Sequence, residues 1–199
     1  MNLLNTAKFA SIAVILFIAA CNGHPDSGTD QLAPETFSSY PFEITDSIGQ
    51  KFLLHAPPKR IISFSPAHTE ILFQIQAGNV VVATDTFSDF PSAAKTLPKI
   101  GDAFNVDLEK LVSIEPDIIL ADFESIMPKL GKIDAPILII KPPSTLTGIF
   151  DQILLLGKIT SKNNEAKSLV QDMQLKMETI DEMVESIERG PRIYFELDP

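Results

Sequence analysis

The sequence has little of what catalytic and metal centres are built from, with one cysteine and three histidines in 199 residues. A single cysteine excludes a disulfide within the monomer, so the burial of apolar side chains must stabilise the fold unaided. His68 and Glu70 are two apart on a predicted helix and do not face each other, so no metal pair is expected there. Neither a Gly-x-Ser-x-Gly elbow, a His-Glu-x-x-His motif nor a phosphate loop is present, which disfavours an enzyme; a hydrolase remains the alternative from that class.

Basic residues are also scarce. There are 16 Lys and Arg against 26 Asp and Glu, and the net charge is −10. An acidic chain repels phosphate backbones, so nucleic acid is not an expected partner. Solubility alone is the alternative explanation of the acidity.

No apolar run at the N-terminus is long enough to span a bilayer, which takes roughly 20 residues. The run Phe9–Ala20 follows a single charge, Lys8, and residues 1–20 therefore have the layout of a signal peptide. The ending Ile18–Cys21 resembles a bacterial lipobox, which implies that Cys21 is acylated and tethers the exported protein to a membrane of the cell envelope, in the periplasm or on the outer face of the cytoplasmic membrane. A plain secretory signal with a coincidental cysteine is the alternative.

Residues 21–39 are polar and contain almost nothing to bury, which predicts a lipidated flexible tether. Residues 40–160 predict an α/β lobe that begins with a β-hairpin. Runs of Val, Ile and Leu then alternate with segments of helical spacing, as in a parallel sheet buried on both faces. The predicted strands of this sheet are Arg60–Ser65, Val80–Thr84, Asp117–Ala121 and Pro136–Ile140.

Residues 161–190 predict one long amphipathic helix, because apolar residues recur there every three or four positions without an internal Gly or Pro. A coiled-coil seam is the rival interpretation. Residues 191–199 predict a further strand, Arg192–Asp198, for which the sequence offers no partner. We therefore expect a second lobe that is truncated in this chain.

Four motifs carry a resemblance to a known family. Residues 42–199 resemble the class III substrate-binding proteins of iron-siderophore, haem and cobalamin ABC importers, with the periplasmic-binding domain itself at about 60–199. The resemblance implies two α/β lobes joined by a long helix, with the ligand between them. The motifs are Pro58–Phe73, Thr86–Pro91, Leu97–Gly101 and Asn105–Leu120.

The Ser-Asp-Phe-Pro stretch is closest to the cobalamin binders, so the resemblance implies cobalamin or another corrinoid as ligand, with a ferric siderophore or haem as the alternative. By this resemblance Phe87 faces the ligand, with Phe90 beside it and Phe104 next to a position that is often Trp in the cobalamin branch. Ser65 and Pro66 follow a strand at the edge where α/β sheets bind ligands. Core packing for Phe87 and Phe90, and a helix cap for Ser65, are the structural alternatives.

Glu109 aligns with a glutamate that docks onto the membrane permease in this family, and a solvated helix residue is the alternative. The partners that the resemblance implies are a permease dimer with its ATPase, a small metal-chelate ligand and the membrane reached through the lipid. A non-functional truncated product without ligand affinity is a third hypothesis.

Overall fold

The fold begins with the predicted hairpin. Strands β1 (Phe42–Thr45) and β2 (Lys51–Leu54) pair antiparallel along their whole length. The computed structural model describes residues 40–102, 104–131, 133–187 and 190–195. The predicted signal peptide, the tether and Cys21 lie outside the described residues.

A four-stranded parallel sheet follows, as the sequence predicts. Its strands occur in the order β4–β3–β5–β6, and all neighbouring pairs are parallel. Each strand is a short run of apolar residues, which suits a sheet covered on both faces. The strands are β3 (Ile61–Phe64), β4 (Val81–Thr84), β5 (Ile118–Ala121) and β6 (Ile137–Ile139).

Helices cover both faces of this sheet. Ile61 belongs to one apolar layer and its neighbour Ile62 to the other, because successive strand residues point to opposite faces. Leu72 and Leu156 pack in the first layer, and Leu111 in the second. The helices are α1 (Pro66–Gln74), α2 (Ser92–Lys95), α3 (Leu108–Ile114), α4 (Met127–Leu130), α5 (Leu146–Ile159) and α6 (Asn163–Val184).

The hairpin turn contacts β6, the strand at one side of the sheet. Ser47 N donates to Ile139 O at 2.8 Å, and Ile139 N donates to Asp46 Oδ2 at 3.3 Å. Lys141 N donates to Ser47 Oγ at 3.0 Å. The turn therefore occupies backbone groups of β6 that no further strand of the described chain pairs with.

The long helix is shorter than predicted, since α6 runs from residue 163 to 184 and not from 161 to 190. Its start is shifted because Ser161 has a positive φ of 56°, which is not helical. Ala166 and Val170 are buried against the domain, whereas Leu175 and Met183 in the second half are exposed. The second half lacks the tertiary packing that stabilises most helices, so the helix ends early.

The strand predicted after α6 does not form in the part of it that is described. Residues 190–195 have no regular secondary structure, and Ile193, Tyr194 and Phe195 are exposed. A strand needs a neighbour for its backbone hydrogen bonds, and no described strand pairs with this segment. Across the described residues, no helix combines the length and the apolar character that crossing a membrane requires.

Candidate functional site

The loops after the parallel strands meet at one edge of the sheet. Ser65 follows β3, Asp85 follows β4, Asp122 follows β5, and Ile140 follows β6. In open α/β sheets, ligands bind outside this carboxyl edge.

A chain of buried hydroxyl groups lies beneath the edge. Thr69 Oγ1 is 2.9 Å from Ser63 Oγ and 3.0 Å from Ser88 Oγ. Ser88 in turn donates from its backbone N to Asp85 Oδ1 at 3.0 Å, and its hydroxyl also contacts that oxygen. These four side chains come from β3, α1 and the loop after β4, so they fasten that loop to the sheet.

Lys99 fastens the same loop from the other side. Its Nζ donates to Thr84 Oγ1 at 2.8 Å, to Ala94 O at 3.2 Å and to Ser88 O. Desolvation lowers the pKa of Lys99, and the nearby charges of Asp85 and Asp89 offset part of that change. The lysine therefore joins the two ends and the middle of loop 85–94.

The outer surface of this loop is aromatic. Phe87 is 65% exposed and Phe90 is 55% exposed, whereas Ser88 between them is fully buried. Apolar rings held in water on a fixed loop offer area that a ligand can bury. Core packing, the structural alternative for both Phe87 and Phe90, is therefore wrong.

Two further phenylalanines lie on neighbouring loops. Phe104 is 80% exposed, and the Lys129 ammonium lies 4.9 Å from its ring centroid. Phe123 follows Asp122 and is also exposed. One face of the Phe104 ring is therefore occupied by a cation.

Two carboxyl groups at the edge have altered acidity. Burial raises the pKa of Asp85, and its hydrogen bonds with Ser88 and the charge of Lys99 oppose that rise. Burial also raises the pKa of Asp122, which the Ser65 hydroxyl opposes and the charge of Asp85 reinforces. Asp85 follows β4 and Asp122 follows β5, and these two strands flank β3, so the two loops are neighbours across β3.

A cavity of about 370 Å³ opens beside Asp122. The Lys141 ammonium lies 3.2 Å from Glu124 Oε2 at its wall. Its lining residues are Asp122, Phe123, Glu124, Ser125, Lys141 and Pro142. Within the described residues, no three His, Cys, Asp or Glu side chains come close enough together to hold a metal ion.

The residues predicted from the sequence fall into two groups. Ser65 is buried and its hydroxyl accepts from His68 N at 3.5 Å, so it caps α1, and Pro66 begins that helix. Phe87 and Phe90 lie outermost on the loop after β4. A direct ligand contact by any of these four stays a prediction.

Glu109 lies elsewhere, on the exposed first turn of α3. This position suits a docking contact and equally suits a solvated helix residue, so its role stays a prediction. Sequence reasoning missed Asp85, Asp122 and Lys99. The signal for the two aspartates was available, because each directly follows an apolar run that predicts a strand.

A comparison with known protein families identifies the family of this chain. A family model described as "Periplasmic binding protein" matches residues 61–199. The chain belongs to the periplasmic binding protein family. The resemblance inferred from the four motifs is thereby confirmed at the level of the family.

Individual periplasmic binding proteins give finer similarities. The chain is 26% identical over 198 residues to YvrC of Bacillus subtilis, an uncharacterized ABC transporter substrate-binding lipoprotein, over 96% of this chain and 62% of that protein. It is 27% identical over 132 residues to a vitamin B12-binding protein of Vibrio campbellii, over 64% and 48% respectively. The solved structure of the periplasmic vitamin B12 binding protein BtuF of Vibrio cholerae matches with a TM-score of 0.57 and 25% identity, over 65% and 52%. The chain thus spans between 48% and 62% of the length of these three proteins.

Proposed function

We propose that this chain is the substrate-binding component of an ABC importer that captures a metal chelate, cobalamin or another corrinoid, and delivers it to a membrane permease. The observation that carries the proposal is the pair of exposed rings, Phe87 and Phe90, on a fastened loop at the carboxyl edge of the sheet. The vitamin B12-binding relatives support the choice of a corrinoid.

A flat macrocycle suits these rings because of the apolar area that it buries and the small side-chain entropy that the rings lose. A macrocycle buries a large apolar area against an aromatic ring, and a ring with two side-chain torsions loses little freedom in the contact. The Phe87 ring is free to make such a contact because most of its surface is already in water. The buried hydroxyls beneath it hold the loop, so little ordering remains to be done on binding.

Two further roles belong to the proposal. Cys21 carries the lipid that holds the protein at the cell envelope, and Glu109 docks the lobe onto basic residues of the permease, which works with its ATPase. An exposed carboxylate on a helix end can steer such an encounter. We expect Glu109→Lys to weaken binding to the purified permease complex, whereas Glu178→Lys, an exposed glutamate on α6, leaves it unchanged.

A titration of the purified chain with cyanocobalamin, haemin and a ferric hydroxamate siderophore tests the ligand. We expect saturable binding of cyanocobalamin that is tighter than binding of the other two. Phe87→Ala should lose about 1–3 kcal/mol of binding free energy, roughly 5- to 150-fold in affinity. Because the ring is exposed, the melting temperature should stay unchanged.

Phe195→Ala is the matched control, since Phe195 is also exposed but lies after α6 and not on the strand loops. It should bind like the unaltered chain. Absence of saturable binding by all three chelates would overturn the proposed function. Tighter binding of haemin or of the siderophore would overturn the choice of a corrinoid, and destabilisation by Phe87→Ala with unchanged affinity would remove Phe87 from the site.

A further inference from the structure

We propose that Lys99 is a positioning residue for ligand binding, because it holds the loop that presents Phe87 and Phe90. This inference rests on the proposed function, since it assigns a role at the same site. Lys99 lies in the motif Leu97–Gly101, to which the proposed function gives no role of its own.

The contacts of Lys99 span the whole loop after β4. Thr84, its first acceptor, is the last residue of β4, and Ala94 lies in α2 at the far end of the loop. Ser88, whose carbonyl it also contacts, lies between them. One ammonium group therefore ties the start, the middle and the end of loop 85–94 together.

Ser88 is the buried anchor of the loop that carries the Phe87 and Phe90 rings. Its side chain is fully buried against Asp85 and Thr69, with both phenylalanines exposed on either side of it. If Ser88 moved outward, the backbone that carries Phe87 and Phe90 would move with it. Lys99 holds Ser88 by its carbonyl while Asp85 holds it by its N–H and hydroxyl, so the two charged residues act on one pivot.

Lys99 is itself held in register with β4. Thr84 N donates to Pro98 O at 3.0 Å, and Ile100 N donates to Thr84 O at 3.1 Å. Lys110 Nζ donates to Lys99 O at 2.8 Å. The backbone of Lys99 therefore cannot shift without breaking contacts to β4 and to α3. These contacts fix the position of its ammonium group.

The chemistry of the position suits lysine in particular. An ammonium group has three donors and no acceptor, and Lys99 has three acceptors around it. A methionine of similar length would fill the same channel but donate to none of them. Ala94 O would keep the Leu97 N–H as a donor, but Ser88 O would lose its contact with the ammonium group, and the loop would open locally without loss of the sheet.

The test compares Lys99→Met with Lys95→Met. Lys95 is an exposed residue of α2, directly after loop 85–94. Its replacement therefore removes one positive charge beside the loop without affecting the acceptors of Lys99. We expect amide exchange at Thr86 and Ser88 to speed up by about tenfold or more in Lys99→Met, with β3 and β5 unchanged. Affinity for cyanocobalamin should fall by about tenfold, with a less favourable binding entropy, since the ligand must now order the loop.

Three results would overturn the inference. These are unchanged exchange at Thr86 and Ser88, exchange that rises equally throughout the sheet, and an affinity loss in Lys95→Met equal to that in Lys99→Met. Should Lys99→Met not fold, Thr84→Val takes its place, because it keeps the shape of the side chain and removes one of the three acceptors of Lys99. If the unaltered chain binds no chelate while exchange still responds as expected, the proposed function fails and the positioning of the loop by Lys99 stands.

Discussion

At the scale of single residues, His68 is a titratable group buried within the domain. It is buried between α1 and α5, and its Nε2 is 3.1 Å from the side-chain nitrogen of Gln152. An amide nitrogen only donates, so Nε2 accepts and the ring is neutral. Burial lowers the pKa of His68 to about 4.

This histidine predicts a loss of stability in mild acid. Between pH 6.5 and about 4 the unfolded chain binds a proton at His68 that the folded chain does not. The stabilisation is therefore complete above pH 6.5 and is lost as the pH falls towards 4, by about 3 kcal/mol in total. The free energy of unfolding, measured by chemical denaturation from pH 7 to pH 4, should decrease with falling pH in the unaltered chain. His68→Gln should lack the part of this decrease that comes from His68.

His55 supplies the matched control, because it is an exposed residue after β2. His55→Gln should keep the slope of the unaltered chain. Carboxyl groups also titrate near pH 4, but they contribute equally to all three proteins. An identical pH profile for His68→Gln and His55→Gln would contradict the neutral, buried state of His68.

At the scale of elements, α5 and α6 form the tightest helix contact, and a glycine makes it possible. Gly157 lies in α5 directly against Ala166 of α6, and a Cβ at Gly157 would overlap the Ala166 methyl group. The same Cβ would lie 3.0 Å from Lys162 O. The absent side chain therefore sets how closely α6 approaches the domain.

Gly157→Ala should accordingly destabilise the fold although alanine favours helices. We expect a loss of about 1–3 kcal/mol in the free energy of unfolding, measured by urea titration, because the helices must separate to admit the methyl group. Gly190→Ala, where a Cβ would meet nothing within 4 Å, should be close to neutral. Gly157→Ala with Ala166→Gly should recover part of the loss; a purely additive double variant would show that the overlap is not the cause.

The elements were largely predictable, and their ends were not. Hydrophobic runs placed all four parallel strands within one or two residues, because strands buried on both faces leave a continuous apolar signal. The periodic spacing that predicted α6 continues past Val184. Such spacing shows that a helix would have an apolar face, but it does not show whether another part of the protein packs against that face. The same reasoning failed at residues 190–195, whose strand-like composition has no described partner.

At the scale of the whole molecule, the site depends on contacts between distant parts of the chain. Phe87 could be placed at the sheet edge because it follows a strand and lies in a motif. The contact of Lys99 with Ser88 and the proximity of Asp85 to Asp122 depend on the order β4–β3–β5, which no local pattern specifies. Sequence reasoning therefore identified the exposed Phe87 and Phe90 and the helix cap Ser65, but it missed Lys99 and Asp85, which hold the loop after β4.

The proposed membrane attachment concerns the whole protein and rests on the single cysteine of the sequence. We expect Cys21→Ser to move the protein from the membrane fraction to the soluble fraction of the envelope, because the proposed acylation site is lost. Mass spectrometry of the unaltered protein should show an acylated Cys21 at its N-terminus. His24→Ser, three residues away, should stay with the membrane, and an unmodified N-terminus would contradict the anchor.

The contact of the hairpin turn with β6 has a consequence for how copies of this protein meet in solution. An outermost strand with free backbone groups is a template on which a strand of another molecule can add, and such growth leads to aggregates. Here the N–H of Ile139 donates to Asp46 Oδ2, and its C=O accepts from Ser47 N of the same chain. The hairpin thus occupies the outward backbone groups of Ile139, which hinders the addition of a strand from another molecule at that point of the sheet.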